Sequence, residues 1–223
     1  MKNLKIISIL LLMFAVMVSC SRTKNEYFED GSLKSSIPYR FGKENGTCKY
    51  YFINQPHPIK IVVEMKNGKK QGDFIKYFIN GKLDTRCHYD NDLLEGTEER
   101  FHIKGYRMTT TNYLHGKKHG EFIHYHPNGE MMEHGSFYED LFDGEWEYFD
   151  ERGVLVGEGK FEKGDGVQYG YNASGNLIRV VHYQNNMKNG EDIELDNEGD
   201  TLKVTVFKDD RIVINGDETI SNE

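Results

Sequence analysis

Apolar and polar positions alternate along short stretches of this chain, and glycine interrupts them at fixed intervals. In Asp73 to Ile79, Phe74 and Phe78 point one way while Ile75, Tyr77 and Ile79 point the other, the two-residue period of a β-strand. The interruptions keep time. Gly72, Gly96, Gly120, Gly144, Gly166 and Gly190 are spaced by 24, 24, 24, 22 and 24 residues. Nine residues after each stands a second glycine, from Gly81 to Gly199, and seventeen after each an aromatic, from Tyr89 to Phe207. Five after each stands Tyr77, Phe101, Tyr125, Phe149, Tyr171 or Leu195. A period of this length marks a repeat architecture. Extended upstream, it gives eight units, starting at residues 22, 46, 72, 96, 120, 144, 166 and 190. The unit at 46 is two residues longer and carries Pro56 and Pro58 in its turn, which predicts a distorted turn there.

Each unit reads as a β-hairpin. The second glycine closes the dipeptides Asp30-Gly31, Asn80-Gly81, Asn128-Gly129 and Ser174-Gly175, which suit a two-residue type I′ turn. Aromatic and β-branched residues flank them, as strands prefer. A second turn, near Asn91-Asp92, His115-Gly116, Asp140 and Asn185-Asn186, joins each hairpin to the next. The predicted fold class is all-β: a single-layer antiparallel meander of about sixteen strands, in which stability is roughly additive along the stack. With the turn eight and nine residues into the unit, cross-strand partners have offsets summing to seventeen. The leading glycine then faces the aromatic, Gly120 with Phe137 and Gly144 with Phe161, and the ring is expected to lie over the glycine. The same rule pairs His124 with Glu133, Glu194 with Lys203, and Phe74 with Cys87. Cys48 falls three strands from Cys87, about 14 Å at normal spacing, too far for a disulfide.

Composition agrees. Alanine, the best helix former, occurs only at Ala15 and Ala173, against 23 glycines, so a helical bundle is excluded. Aromatic residues make up 13% of the chain, which argues against disorder. The net charge of -8, from 28 basic and 36 acidic side chains, excludes a nucleic-acid grip.

Residues 1–19 have a different character. Lys2 and Lys5 precede an apolar run from Ile6 to Val18, then Ser19-Cys20, the layout of a secretory signal too short to span a bilayer. Met17-Val18-Ser19-Cys20 resembles a bacterial lipobox. The resemblance implies cleavage before Cys20 and lipid attachment there, placing the chain in the cell envelope, on the outer membrane if the source is Gram-negative. The reading is thus a lipoprotein signal at 1–19, a repeat array at 20–216 and a polar C-terminal tail at 217–223.

Segments such as Gly72 to Gly81 and Gly120 to Gly129, with Gly144-Glu-Trp146-Glu-Tyr148-Phe149, resemble the bacterial MORN-repeat variant, whose members are often labelled YwqK-like antitoxins. The resemblance spans about residues 22–216. It implies a hairpin array that binds proteins or lipids, with no catalytic residues and no cofactor.

His115, His119, His124, His126 and His134 cluster in sequence, with His124 and His126 expected on one face near Glu133 and His134 on the other. Split between faces, they read as solvated strand and turn residues rather than a zinc site. Glu95, Glu98, Glu99, Glu145, Glu147, Asp150 and Glu151 spread along the repeat instead of converging, which fits contact with a basic partner better than general acid–base work. Phe74, Tyr77, Phe122, Tyr125, Trp146, Tyr148 and Phe149 form the candidate binding stripe, since aromatics dominate interface energetics. The expected function is a non-catalytic, membrane-anchored binding surface for a protein partner. The alternative is an antitoxin or immunity protein whose acidic surface covers a basic toxin.

Overall fold

The computed structural model describes residues 21–53, 58–214 and 218–220. The lipobox at Cys20 and the proline-bearing turn at 54–57 lie outside them. Every regular element among the described residues is a strand. The chain divides into two compact units, the first ending at Leu93 and the second beginning at Leu94. The first holds β1 (Ser21–Tyr27), β2 (Leu33–Arg40), β3 (Lys43–Glu44), β4 (Gly46–Tyr51), β5 (Ile59–Lys66), β6 (Lys69–Tyr77) and β7 (Leu83–Asp90). The second holds β8 (Leu93–Phe101), β9 (Arg107–Leu114), β10 (Lys117–Tyr125), β11 (Met131–Tyr138), β12 (Leu141–Phe149) and β13 (Leu155–Glu162). It continues with β14 (Asp165–Tyr171), β15 (Leu177–Gln184), β16 (Met187–Leu195), β17 (Thr201–Lys208), β18 (Arg211–Ile214) and β19 (Glu218–Ile220). Within each unit the strands form an antiparallel meander. Glu218–Ile220, which composition reads as part of a polar tail, pairs with β18.

The expected register holds: Gly120 faces Phe137, Gly144 faces Phe161, Glu194 faces Lys203 and Phe74 faces Cys87. Cys48 and Cys87 are buried thiols on separate strands, not bridged to each other. Burial pushes the Cys48 thiol up to about 11, which makes it a packing group rather than a nucleophile.

The turn within each hairpin differs from the expectation. At Asn80-Gly81 the Gly81 N–H donates to Phe78 O at 2.9 Å and the positive φ of 80° belongs to the glycine. That is a type I turn followed by a left-handed glycine, with the register slip between Lys76 and Tyr77 that this wider loop requires. The type I′ turns are the connections between hairpins. Asn91-Asp92, Glu139-Asp140, Asn185-Asn186 and Asp209-Asp210 carry positive φ at both central positions.

These connecting turns stack on one another. Asp140 N–H donates to Lys118 O at 3.0 Å, and Lys118 N–H donates back to Asp140 Oδ1 at 2.9 Å. Asp92 with Lys70 and Asp210 with Lys188 repeat the exchange. The same three lysines lay their ammonium groups over the aromatic that follows, 4.4 Å from Tyr89, 4.7 Å from Phe137 and 4.9 Å from Phe207. One Asp–Lys pair therefore fixes backbone, side chain and ring at once.

A bulge sits at most leading glycines. His119, Gly120 and Glu121 together oppose Asn112, and Gln71, Gly72 and Asp73 oppose Glu64. The bulged glycine has positive φ, 90° at Gly120 and 113° at Gly72, so backbone conformation demands it. No ring covers Gly120 or Gly144, where an added Cβ would first meet Asn112 and Ser136, which corrects the ring-over-glycine expectation. Between Phe161 and Gly166 the register runs straight with no bulge, and this accounts for the interval of 22 residues after Gly144.

The core is one row of side chains crossing the strands. In the first unit it runs Cys48, Val63, Phe74 and Cys87, with Ile37 beside Cys48. In the second it runs Glu98, Thr111, Phe122, Gly135, Trp146, Gly159, Gln168, Val181 and Asp192. Trp146 is 1% exposed, enclosed by Phe122, Phe137, Phe142 and Phe161, whose ring centres lie 5.8, 5.2, 4.7 and 6.4 Å away. Its indole lies flat on Gly135, where a Cβ would stand 2.2 Å from the ring. Toward the end of the row, polar groups replace rings. Asp192, 4% exposed, accepts from Arg179 Nε at 2.8 Å, a second Arg179 nitrogen at 2.7 Å and Lys188 Nζ at 3.1 Å. The Arg179 hydrogen bonds hold the Asp192 carboxyl below its ordinary range.

Gly135→Ala should lower stability by about 2–3 kcal/mol or more through overpacking against Trp146, read as a reduced urea midpoint. Because the folded pKa of Asp192 is depressed, its contribution is present above the unfolded value of 3.8 and lost as pH falls through the folded value. Asp192→Asn should therefore remove part of the acid-side fall in the urea midpoint below about pH 4.

Candidate interaction face

The row that alternates with the core row in the second unit faces solvent. Reading across the strands it is His134, Glu147, Glu158, Tyr169, Val180, Ile193 and Val204. Strand alternation forces this: Trp146 is buried, so Glu145 and Glu147 on either side of it point outward. The row changes character midway. Its first part is acidic and its second part is apolar.

In the acidic part, Glu147 stands directly opposite Glu158. Like charges in that position repel. His134 lies between Glu121, at 3.4 Å from Nε2, and Glu147, at 3.5 Å from Nδ1. The Tyr171 hydroxyl donates to Glu158 at 2.5 Å, and that bond raises the phenol to about 12. A shallow groove of about 300 Å³ is lined by Glu145, Glu147, Glu158, Lys160 and Tyr169, with Trp146 and Gly159 beneath. In the apolar part, Tyr169, Val180 and Ile193 are half-buried and Val204 is 47% exposed, next to Leu202 at 68% and Val206 at 42%.

The seven aromatics of the expected stripe divide between locations. Phe74, Phe122, Trp146 and Tyr148 lie on the core side, and Trp146 is closed to any partner. Burial pushes the Tyr148 phenol far above its ordinary range, with Glu133 across the strand adding to it. Tyr77, Tyr125 and Phe149 stand half-buried at strand ends. Arg107 pairs with Glu99 at 2.9 Å and lies 5.8 Å from the rings of both Phe101 and Tyr125, so these two strand-end rings share the face of Glu99. The stripe is thus a core element with a partly exposed margin. Sequence reasoning missed the apolar run Tyr169–Val204, whose signal was the alternation in Leu202-Lys203-Val204-Thr205-Val206.

The histidines do not gather. His124 meets Glu133 at 3.8 Å, while His126 Nε2 is 2.8 Å from Phe149 O in the next hairpin and His134 is on the opposite face. Burial lowers the His124 pKa and raises that of Glu133, so each environment disfavours charge. Among the described residues no three His, Cys, Asp or Glu side chains are grouped to hold a metal ion.

Residues 118–140, 142–163 and 164–185 match the MORN repeat variant. The matches begin two residues before the leading glycines, at Lys118, Phe142 and Gly164, and so cover the strands that build the groove. No curated protein is similar to the chain.

The division of roles is open to measurement. Trp146→Ala should cost about 3–5 kcal/mol of stability by opening a cavity. Glu147→Gln or Val204→Ser should leave the unfolding free energy from urea titration within about 0.5 kcal/mol of the parent, as surface changes do.

Proposed function

We propose that the chain is a non-catalytic, lipid-anchored envelope protein whose second unit captures a protein partner through the exposed row from Glu147 to Val204. The observation that carries this reading is the sequence of chemistry along that row: two opposed carboxylates, then four apolar side chains in line. Opposed carboxylates accept a cation, and an apolar row supplies the area that holds a complex together. The partner is therefore a protein segment with a lysine or arginine followed by apolar residues. The acidic net charge speeds its approach. The match to the MORN repeat variant supports a binding role for these strands. The lipobox-like Met17-Val18-Ser19-Cys20 supports anchoring in the envelope.

A second reading, an antitoxin or immunity protein, draws on the same acidic groove, since Glu145, Glu147 and Glu158 suit a basic toxin surface. Relief of a toxic neighbouring gene by co-expression separates it from a general adaptor.

The test is site-specific photocrosslinking in intact cells. A photoreactive residue replacing Tyr169 or Val204 should give one discrete adduct, lost when Glu147 and Glu158 are both changed to Lys. The same probe at Lys203, exposed on the opposite face beside Glu194, should give none. Adducts of equal yield at all three positions would remove the assignment of the face.

A further inference from the structure

The end of the first unit nearest Cys20 has a chemistry of its own. Ser21, one peptide from Cys20, pairs with Arg40. Arg40 pairs in turn with Lys43 across the turn Phe41-Gly42. The next connecting turn, Asn67-Gly68 between the paired Lys66 and Lys69, lies alongside, with Gly68 N–H donating to Glu44 O at 2.8 Å and Asn45 reaching Asn67 at 3.3 Å. Arg40, Lys43, Lys66 and Lys69 are all exposed. This is a cluster of four cations in a chain whose net charge is -8. The third connecting turn of the unit, Asp90 to Asp92, is acidic instead.

Phe41 is the anomaly. It is 61% exposed and holds a φ of 51°, a conformation bulky side chains rarely adopt. The first position of the other connecting turns is polar in every described case: Asn67, Asn91, His115, Glu139, Lys163, Asn185 and Asp209. The Arg40 guanidinium lies 5.4 Å from the Phe41 ring. Arg40, Phe41, Met65 and Lys66 line an open groove of about 450 Å³.

No linker separates Cys20 from β1. Successive Cα atoms are about 3.8 Å apart, so an acyl chain on Cys20 holds the Ser21–Arg40 pair at the headgroup layer with no slack. We propose that the two-turn edge Arg40–Lys43 and Lys66–Lys69 docks onto an anionic phospholipid surface, with Phe41 entering the interface and the four cations over the headgroups. The anchor supplies attachment, and this edge adds a second contact that fixes how the first unit meets the surface. Cations at an anionic surface gain from its negative potential, and an aromatic ring suits the water–lipid boundary. The edge then sets the orientation of the first unit, rather than merely its address. The proposal rests on the anchoring part of the function proposed above.

The experiment reconstitutes the mature chain carrying Phe41→Trp into phosphatidylglycerol vesicles containing brominated phospholipid, with Trp146, which is buried, as a constant background. Emission from position 41 should be quenched there, and not in phosphatidylcholine vesicles when Arg40, Lys43, Lys66 and Lys69 are all changed to Glu. In the Cys20→Ala chain, affinity for phosphatidylglycerol vesicles should fall about fivefold for each of the four cations replaced by Gln. A chain that floats with vesicles while position 41 stays unquenched overturns the docking. So does a vesicle affinity indifferent to the four cations. Mass spectrometry of the Cys20 peptide reads the anchor separately: no acyl mass with position 41 still quenched keeps the docking and removes the anchor.

Discussion

The reciprocal hydrogen bond between neighbouring connecting turns is the contact on which the repeat depends. An Asp at the second position of one turn gives its N–H to a Lys carbonyl one repeat earlier and takes that Lys N–H on its carboxylate. Both groups would otherwise be orphaned at the point where a strand leaves its ladder, and an unmet backbone group in such a place is costly. The exchange also fixes distance along the chain. A turn shifted by one residue would present its Asp to the wrong amide, and the ring under the lysine would move to the other face. Asn186 links two earlier turns instead of one, its N–H donating to Gly164 O and its side-chain oxygen accepting from Phe142 N–H at 2.8 Å. The 24-residue period is therefore held by hydrogen bonds as well as by glycine.

With the turns held, each strand offers one face to the core row and the other to water. The core row does not need a second layer. Rings from four strands, β10 to β13, close over Trp146, and the glycines opposite it, Gly135 and Gly159, make room for them. Where the rings stop, Asp192 with Arg179 and Lys188 fills the row. A buried ion pair adds little net stability over an apolar group of the same size, but it admits one arrangement of strands. The exposed face inherits its geometry from this. Glu147, Glu158 and Tyr169 are aligned because the residues between them are locked on the reverse side.

Much of this was legible in the sequence. The register of the hairpins followed from a fixed period and the sum of offsets, and Gly120–Phe137 and Phe74–Cys87 stand where that arithmetic puts them. The turn types were not legible, because Asn-Gly serves both a type I′ turn and a type I turn followed by a left-handed glycine. Loop length decides between them, and it depends on where strand pairing stops, at Tyr77 and Leu83. The role of Trp146 was hidden for a similar reason. Alternation in Glu145-Trp146-Glu147 assigns opposite faces, but burial of one of them comes from Phe137 and Phe161 on adjacent strands. Phe41 stands nineteen residues into its unit, the offset of Asn91 and His115, so the period places it in a connecting turn, but its exposure and positive φ are visible only in the structure.

The straight pairing of β13 with β14 has a mechanical result. Bulges add right-handed twist to the strands that carry them. No bulge adds twist where Phe161 meets Gly166 directly, and Glu158 faces Tyr169 in unbroken register. The two-residue deletion that looks like an error in the metre thus gives Glu158 and Tyr169, which line the groove, the one hairpin junction of the matched repeats where the ladder runs without interruption.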